Sequence, residues 1–314
     1  MAQPTNSFSS YDAIGNREDL SDLITNISPT KTPFMDSIAK NSATATNHEW
    51  QNETLAAAVA TNAVIEGDDA TTDSSAPTVR LGNNTQILDK VARVTGTQRA
   101  NDSAGRADEM DHQVVKRLKE LKRDLESSLL ANNAKVAGND TTAREMAGVE
   151  SWIATNTSAG AGGADPTGDG TDARTDGTQR ALLEADVKTV LAAAADEGGD
   201  PDMISVGSFN KQAFSAFTGN ATRTTDSTDQ ALRTAVHVYT SDFGEIQVVY
   251  NRFQRSRSAL ILDTALWKLS VLRDFHSTDL AKTGDTDRKQ ILFEGTLEAM
   301  QETGNGIVAD LTTS

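Results

Sequence analysis

Between residues 103 and 136 apolar side chains return every three or four positions, as Met110, Val114, Leu118, Leu121, Leu125 and Leu129. That period predicts one amphipathic helix of nearly 50 Å at about 1.5 Å per residue. A rod of this length with a single apolar stripe needs a broad surface to lie on, so one face is buried and the other wet. Asp108, Glu109 and Asp111 sit early, and Lys116, Arg117, Lys119, Lys122 and Arg123 follow. This order partly complements the helix dipole.

The segments before this helix read differently. Leu20, Leu23, Ile24 and Ile27 predict a short helix closed by Pro29. A second starts with Thr32 as N-cap and Pro33 in the first turn, with Phe34, Met35 and Ile38 on its apolar side. Both look like separate anchors in an extended arm. From residue 47 to 98, HEWQNETL and TQILDKVARVTGTQ read as extended chain joined by the acidic, small-residue tip EGDDATTDSSAP. Such a two-stranded excursion, without an apolar face of its own, is marginal in water. A neighbouring subunit is its expected support.

After the helix, residues 155–178 are rich in Gly, Asp, Thr and Ala with no hydrophobic period, which marks a loop and the best linker candidate. A helix is expected over 179–195, with Leu183, Val187, Val190 and Leu191, stopped by Gly198, Gly199, Asp200 and Pro201. A buried strand follows at 203–206, then a helix carrying Phe209, Ala213, Phe214 and Phe217 with Ser208 as its N-cap. AVHVYTSDFGEIQVVYN reads as a hairpin turning near Asp242 to Gly244. SALILD, LWKLSVL and KQILFEGTLEAM read as further strands, and GIVADLT as a short return. Helices and strands alternate irregularly, so the fold class is α+β, with two lobes flanking residues 155–178.

The 314 residues are enough for more than one core. Cysteine is absent, which removes disulfides, thiolate metal sites and cysteine nucleophiles and fits a reducing compartment. The net charge of −16 opposes strong binding to phosphate backbones. The first residues carry no basic, apolar leader, and about 18 consecutive apolar residues, as a membrane span needs, occur nowhere. Aromatics are only 5% while small polar residues abound, so several stretches must rest on neighbours or solvent.

Catalytic chemistry finds little footing. His48, His112, His237 and His276 fall in different elements without a second ligand type at metal-site spacing. Asp165, Asp169, Asp172 and Asp176 lack the spacing of a calcium loop, and a solvated acidic loop is the more common reading. Gly160, Gly162 and Gly163 are followed by no Lys-Ser or Lys-Thr, unlike a phosphate loop. Ser208 after Gly207 lacks the rest of a nucleophile elbow. Among 45 acidic residues nothing singles out an acid–base pair. The basic run Lys116 to Arg123 is interrupted by Glu120 and Asp124, and such runs are usually solvated faces. No cofactor or metal is expected.

Taken in order, these pieces resemble one family, the major capsid proteins of tailed phages that begin with a YDAxGxREDLSDLIxNISPTxTPF-like arm, here Tyr11 to Phe34. The resemblance continues through HEWQNETLAA (48–57), GRADEM to LKRDLESSLL (105–130), GVESWIATNTSAGAGGA (148–164) and DGTQRALLEADVKTV (176–190). It extends over GGDPDMISVGSFNKQAFSAFTGNATR (198–223), SDFGEIQVVYNRFQRSRSALILD (241–263), LAKTGD (280–285) and GIVADLTT (306–313).

The resemblance implies the Hong Kong 97-type fold and a structural rather than enzymatic role. It assigns an N-terminal arm to 1–46, an E-loop to 47–99 and a P-domain to 100–178 with its spine helix at about 103–137. An A-domain follows at 179–255, and strands returning to the P-domain at 256–314. The implied partners are further copies in hexamers and pentamers of an icosahedral shell, with scaffolding, portal and decoration proteins and only weak, non-specific contact with packaged double-stranded DNA. The implied location is the virion, assembled in the host cytoplasm and away from membranes. Inter-subunit contacts are expected at Tyr11, Arg17, Leu20, Leu23, Phe34, Trp50, Glu66, Asp68 and Asp69, and genome-facing side chains at Lys116, Lys119 and Arg123. Because the arm motif starts almost at Met1, separate scaffolding or none is expected. Lys90 and Lys282 are candidates for a covalent crosslink by side-chain type alone. The competing readings are another virion component, such as a decoration or tail protein, and an enzyme with an acidic site at subunit contacts.

Overall fold

The structure is a computed structural model that describes residues 28–69, 76–101, 107–217 and 238–313. The helix expected around Leu20 to Ile27 lies outside the described residues.

After the short helix α2 (Gly96–Ala100), the long helix α3 (Glu109–Leu129) begins where the Asp108 carboxylate accepts the Met110 N–H at 2.7 Å. It is shorter than the expected span of 103–137. Residues 130–137 leave the helix because their polar groups have distant partners. Asn132 donates to the Arg174 carbonyl and accepts its N–H, Asn133 donates to the Met146 carbonyl, and Val136 bridges to Glu145.

Helix α3 lies on a four-stranded sheet ordered β1 (Ala39–Ser42), β10 (Trp267–Leu280), β11 (Thr286–Ala299), β4 (Gln86–Thr95), in which only the β1 pairing is parallel. Strand β4 turns Ala92 and Val94 toward Met110 and Val114 of α3, while the alternate residues Ile87 and Val91 face solvent. This period of two orients one face of a strand to the core. Strand β10 runs well past LWKLSVL: its second half, RDFHSTDL, is polar and crosses register shifts at Arg273, so no apolar alternation marked it.

Strand β2 (Asn47–Asn52) pairs antiparallel with β3 (Val79–Asn84), not with the TQILDKVARVTGTQ stretch, which forms β4 on β11. The apolar residues of β4 need α3, and only the main sheet brings them there. The root of the β2–β3 hairpin also rests on the chain's own core. Trp50 packs on Trp152 with ring centroids 5.3 Å apart, and buried Asn83 donates to the Leu297 and Ala147 carbonyls while accepting the Ala147 N–H.

A six-stranded sheet is ordered β5 (Thr157–Ser158), β12 (Gly306–Val308), β9 (Ala259–Leu262), β6 (Met203–Val206), β8 (Gly244–Tyr250), β7 (Val238–Ser241). Val187, Val190 and Leu191 of α4 (Glu184–Asp196) and Phe214 of α5 (Ser208–Ser215) pack with Ile204, Val206, Ile246 and Ile261 of the strands. Helix α4 starts five residues later than expected, and Gly207 rather than Ser208 is the N-cap of α5.

Residues 155–178 are not a free linker. Strand β5 is an edge of the six-stranded sheet, and Ala164 bridges to Thr175. Asp310, held at φ 59°, accepts the N–H groups of Gly160 at 3.0 Å and Gly177 at 2.7 Å and pairs with Arg257 at 3.2 Å. Buried Arg174 donates to the Ile153 carbonyl and pairs with Asp165. These non-local bonds order a sequence that has no apolar period of its own.

Candidate assembly surfaces

Beyond the paired strands β2 and β3 the chain leaves the body. Residues 53–69 contain no helix or strand and are exposed throughout, with Leu55 at 94%, Val64 at 83% and Ile65 at 79% of full exposure and Val59 close behind. Isolated exposed apolar residues are ordinary, but several on one unsupported segment mark an interaction surface. Glu66, Asp68 and Asp69 are exposed on the same segment, where Asp68 N–H closes a turn onto the Ile65 carbonyl.

The expected contact residues divide sharply. Tyr11, Arg17, Leu20 and Leu23 lie outside the described residues. Phe34 is fully buried in the chain's own core, edge-on to Trp267 at 6.3 Å, and Trp50 is buried against Trp152. Phe34 therefore has no surface left for a neighbour and Trp50 very little; an apolar residue next to an extended segment looks the same in sequence whichever copy buries it. Leu55, Val59, Val64 and Ile65 are not among the expected contact residues. Their signal was present as apolar residues with neither a helical nor an alternating period beside an acidic turn.

The arm enters the body at α1 (Pro33–Ser37), whose first turn is capped from far along the chain. Glu126 of α3 accepts the Phe34 N–H at 2.9 Å, the Met35 N–H at 2.8 Å and the Asn251 side-chain amide at 2.6 Å. One fully buried carboxylate thus joins the arm, the long helix and the end of β8. A carboxylate at a helix start satisfies N–H groups that have no partner within the helix. Burial raises the affinity of Glu126 for a proton, and the three donors work against that rise.

At the root of β2, His48 Nε2 lies 3.2 Å from Glu298 Oε2 and 3.2 Å from Ser270 Oγ, while Ser270 donates to the same carboxylate oxygen at 2.8 Å. The residue types match a hydrolytic triad but the geometry does not. In a triad one ring nitrogen faces the hydroxyl and the other the carboxylate, whereas here one nitrogen meets both. Asn41 of β1 donates to Glu298 as well, at 3.1 Å. The group ties β1, β2, β10 and β11 together. Burial disfavours the Glu298 charge, yet the hydrogen bonds from Asn41, Ser270 and His48 outweigh it and hold the carboxyl below its usual range.

On α3, Lys116 and Lys119 are exposed, and Arg123 is half-buried with its guanidinium 5.6 Å from the Phe253 ring centre. A shallow cleft of about 380 Å³ lies among Arg99, Asp108, Asp287 and Lys282, which neutralise one another in ion pairs. Among the described residues no cluster of three or more His, Asp or Glu side chains is arranged to hold a metal ion, and no helix is long and apolar enough to cross a membrane.

A body knit by long-range polar contacts, with an apolar segment held out in water, is the form of a structural subunit. The chain belongs to the SU10 major capsid protein family, whose model matches residues 3–312. It is 28% identical to the major capsid protein of Escherichia phage Phieco32, over 98% of this chain and 97% of that protein. Among solved structures it is similar to the capsid asymmetric unit of Cyanophage A-1(L), with a TM-score of 0.67 at 12% identity over 97% of this chain and 98% of that one. It is also similar to a structure from Mycobacterium phage Cain, with a TM-score of 0.62 at 13% identity over 98% of this chain and 100% of that one. The mixed α and β fold is that of phage capsid subunits of the Hong Kong 97 type. The chain is a major capsid protein of a tailed phage, a homo-oligomeric component of the virion.

Proposed function

We propose that copies of this chain close into hexamers and pentamers of an icosahedral shell around a double-stranded DNA genome. Residues 53–69 lie across a neighbouring copy, and residues 179–217 and 238–255 form the axial lobe. Head-to-tail contacts between such lobes close into rings, and the extended segments tie the rings together. The shell acts without catalysis. It is assembled in the host cytoplasm, with scaffolding, portal and decoration proteins as further partners.

The observation that carries this reading is the exposure of Leu55, Val59, Val64 and Ile65 on one segment with no packing against its own body. Fully burying each is worth about 1.5–3 kcal/mol. A neighbour that covers them gains that energy many times over in a closed lattice. The acids beside them, Glu66, Asp68 and Asp69, keep the free subunit from collapsing onto the same patch.

Electron microscopy of the overexpressed chain tests the proposal: closed shells of uniform size, with hundreds of copies each, are expected. Deleting residues 60–76 leaves circular dichroism and the urea midpoint of the subunit unchanged while shells disappear, because residues 60–69 and 76 are exposed and add little to the subunit's own core. Shells that form equally well without it overturn the assignment of the joint.

A further inference from the structure

The basic run of α3 is interrupted by acids in sequence but not in space. Glu120 is taken by Arg117 at 2.6 Å, and Asp124 by Lys90 of β4 at 2.7 Å. Lys116, Lys119, Lys122 and Arg123 form no ion pair with a carboxylate among the described residues. Helical spacing puts Lys116, Lys119 and Arg123, at i, i+3 and i+7, on one face, and that face is opposite the one buried through Met110, Leu121 and Leu125. The stripe continues across the junction of the two sheets. Phe253 lies under Arg123, and Arg252, the residue before it, is exposed with its guanidinium 5.6 Å from the Tyr250 ring centre. Lys122 lies off this face, about 100° further round the helix, over Phe275 of the sheet at 5.9 Å. Arg123 and Arg252 rest on aromatic rings, which fixes them in place without neutralising them.

We infer that this stripe, Lys116, Lys119, Arg123 and Arg252, is a surface for the phosphate backbone of the packaged double-stranded DNA. The inference deepens the genome contact of the proposed shell and rests on it. A chain of net charge −16 gains nothing in solubility from one uncompensated basic line on its long helix. A polyphosphate lying along the helix meets those cations in succession and releases its counterions to them. The remaining charge of the subunit keeps each contact weak, so that the genome is held by number rather than by affinity. The contacts reach phosphates and no base edges, so binding is independent of sequence.

The competing occupant is the acidic turn of a second copy, Glu66, Asp68 and Asp69. Lysine acylation of DNA-filled particles and of empty shells, read by mass spectrometry, separates the two, with exposed Lys282 as the reference. Protection of Lys116 and Lys119 by about threefold or more in filled particles only is expected for a phosphate contact. Equal protection in filled and empty shells assigns the stripe to a protein neighbour and overturns the inference. So does full labelling in both. A K116E/K119E variant that still forms shells and loses DNA at lower temperature than wild type adds support, and an unchanged release temperature counts against it. Failure of the shell reading itself is distinct, since no shells then form.

Discussion

The junction around Glu126 and the segment 53–69 treat water in opposite ways. At Glu126 a full carboxylate is taken out of solvent and given three donors from two other elements. Along 53–69, apolar side chains that belong in a core are left in solvent. The first arrangement makes one copy rigid enough to be a building block, because a buried polar network holds only in one geometry. The second leaves the copy unfinished. A shell subunit needs both, and the difference predicts that mutations in the two regions separate folding from assembly.

The largest effect on folding is expected at the centre of the buried region. Trp267 is fully buried, packs on Phe34, and donates its indole N–H to Asn305 Oδ1 at 2.8 Å. Trp267→Ala should destabilise the subunit by about 3–5 kcal/mol, read as a lowered urea midpoint with the m-value retained. A loss below about 1 kcal/mol would show that the site collapses without a cavity and that the arm's anchoring is looser than its burial implies.

Next comes Glu126→Ala, which strands the N–H groups of Phe34 and Met35 and the Asn251 amide. A cost of about 1–3 kcal/mol follows from unsatisfied buried donors, with hydrogen exchange accelerated at residues 34 and 35. Glu126→Gln keeps the shape but sets its NH₂ against donors, and should fall between wild type and Ala. Uniform acceleration across all of α3 in either variant would mean that the carboxylate supports the helix generally and is not a joint.

The acids give the comparison a pH axis. For Glu126, and for Glu150, which is fully buried and paired with Arg255 and Ser258, burial raises the folded-state proton affinity. Their contribution is fully present below the unfolded value of about 4.3 and is lost as pH rises through the folded value. Glu298 is shifted the other way, so its contribution is present above the unfolded value and lost as pH falls through the folded one. In urea titrations from pH 3 to 7, Glu298→Gln should be weaker than wild type near neutrality and converge on it in acid. A gap that widens in acid would reverse the sign assigned to the His48, Ser270 and Asn41 contacts.

What could be read in the sequence follows the same division. The core face of α3, the hairpin at Asp242 to Gly244 and the strands at Met203 and Ala259 follow from local periods and turn residues, and these are where expectation and structure coincide. The end of α3 comes earlier than the local period implies because Asn132 and Asn133 are bonded to Arg174 and Met146, partners no local rule points to. The loop 155–178 looked like a linker because its order comes from Asp310, more than a hundred residues away. Phe34 and Trp50 were assigned to a neighbour, since hydrophobicity records that a residue is buried but not in which copy. Glu126 looked like one more acid on a charged helix.

The smallest effect on folding is expected at Val64 and Ile65, and it is the most informative. Replacing both by Ser removes apolar groups that the free subunit already exposes, so its urea midpoint should move by no more than about 0.5 kcal/mol. The same change removes two side chains that the neighbour is proposed to bury, each worth about 1.5–3 kcal/mol. Because every copy in a closed lattice makes the contact, a small loss per copy multiplies, and the concentration needed for shell formation should rise by about tenfold or more for each 1.4 kcal/mol lost per contact. Light scattering across a concentration series measures that threshold. If the midpoint falls instead while the threshold stays put, residues 53–69 pack on their own subunit and the contrast with the Glu126 junction disappears.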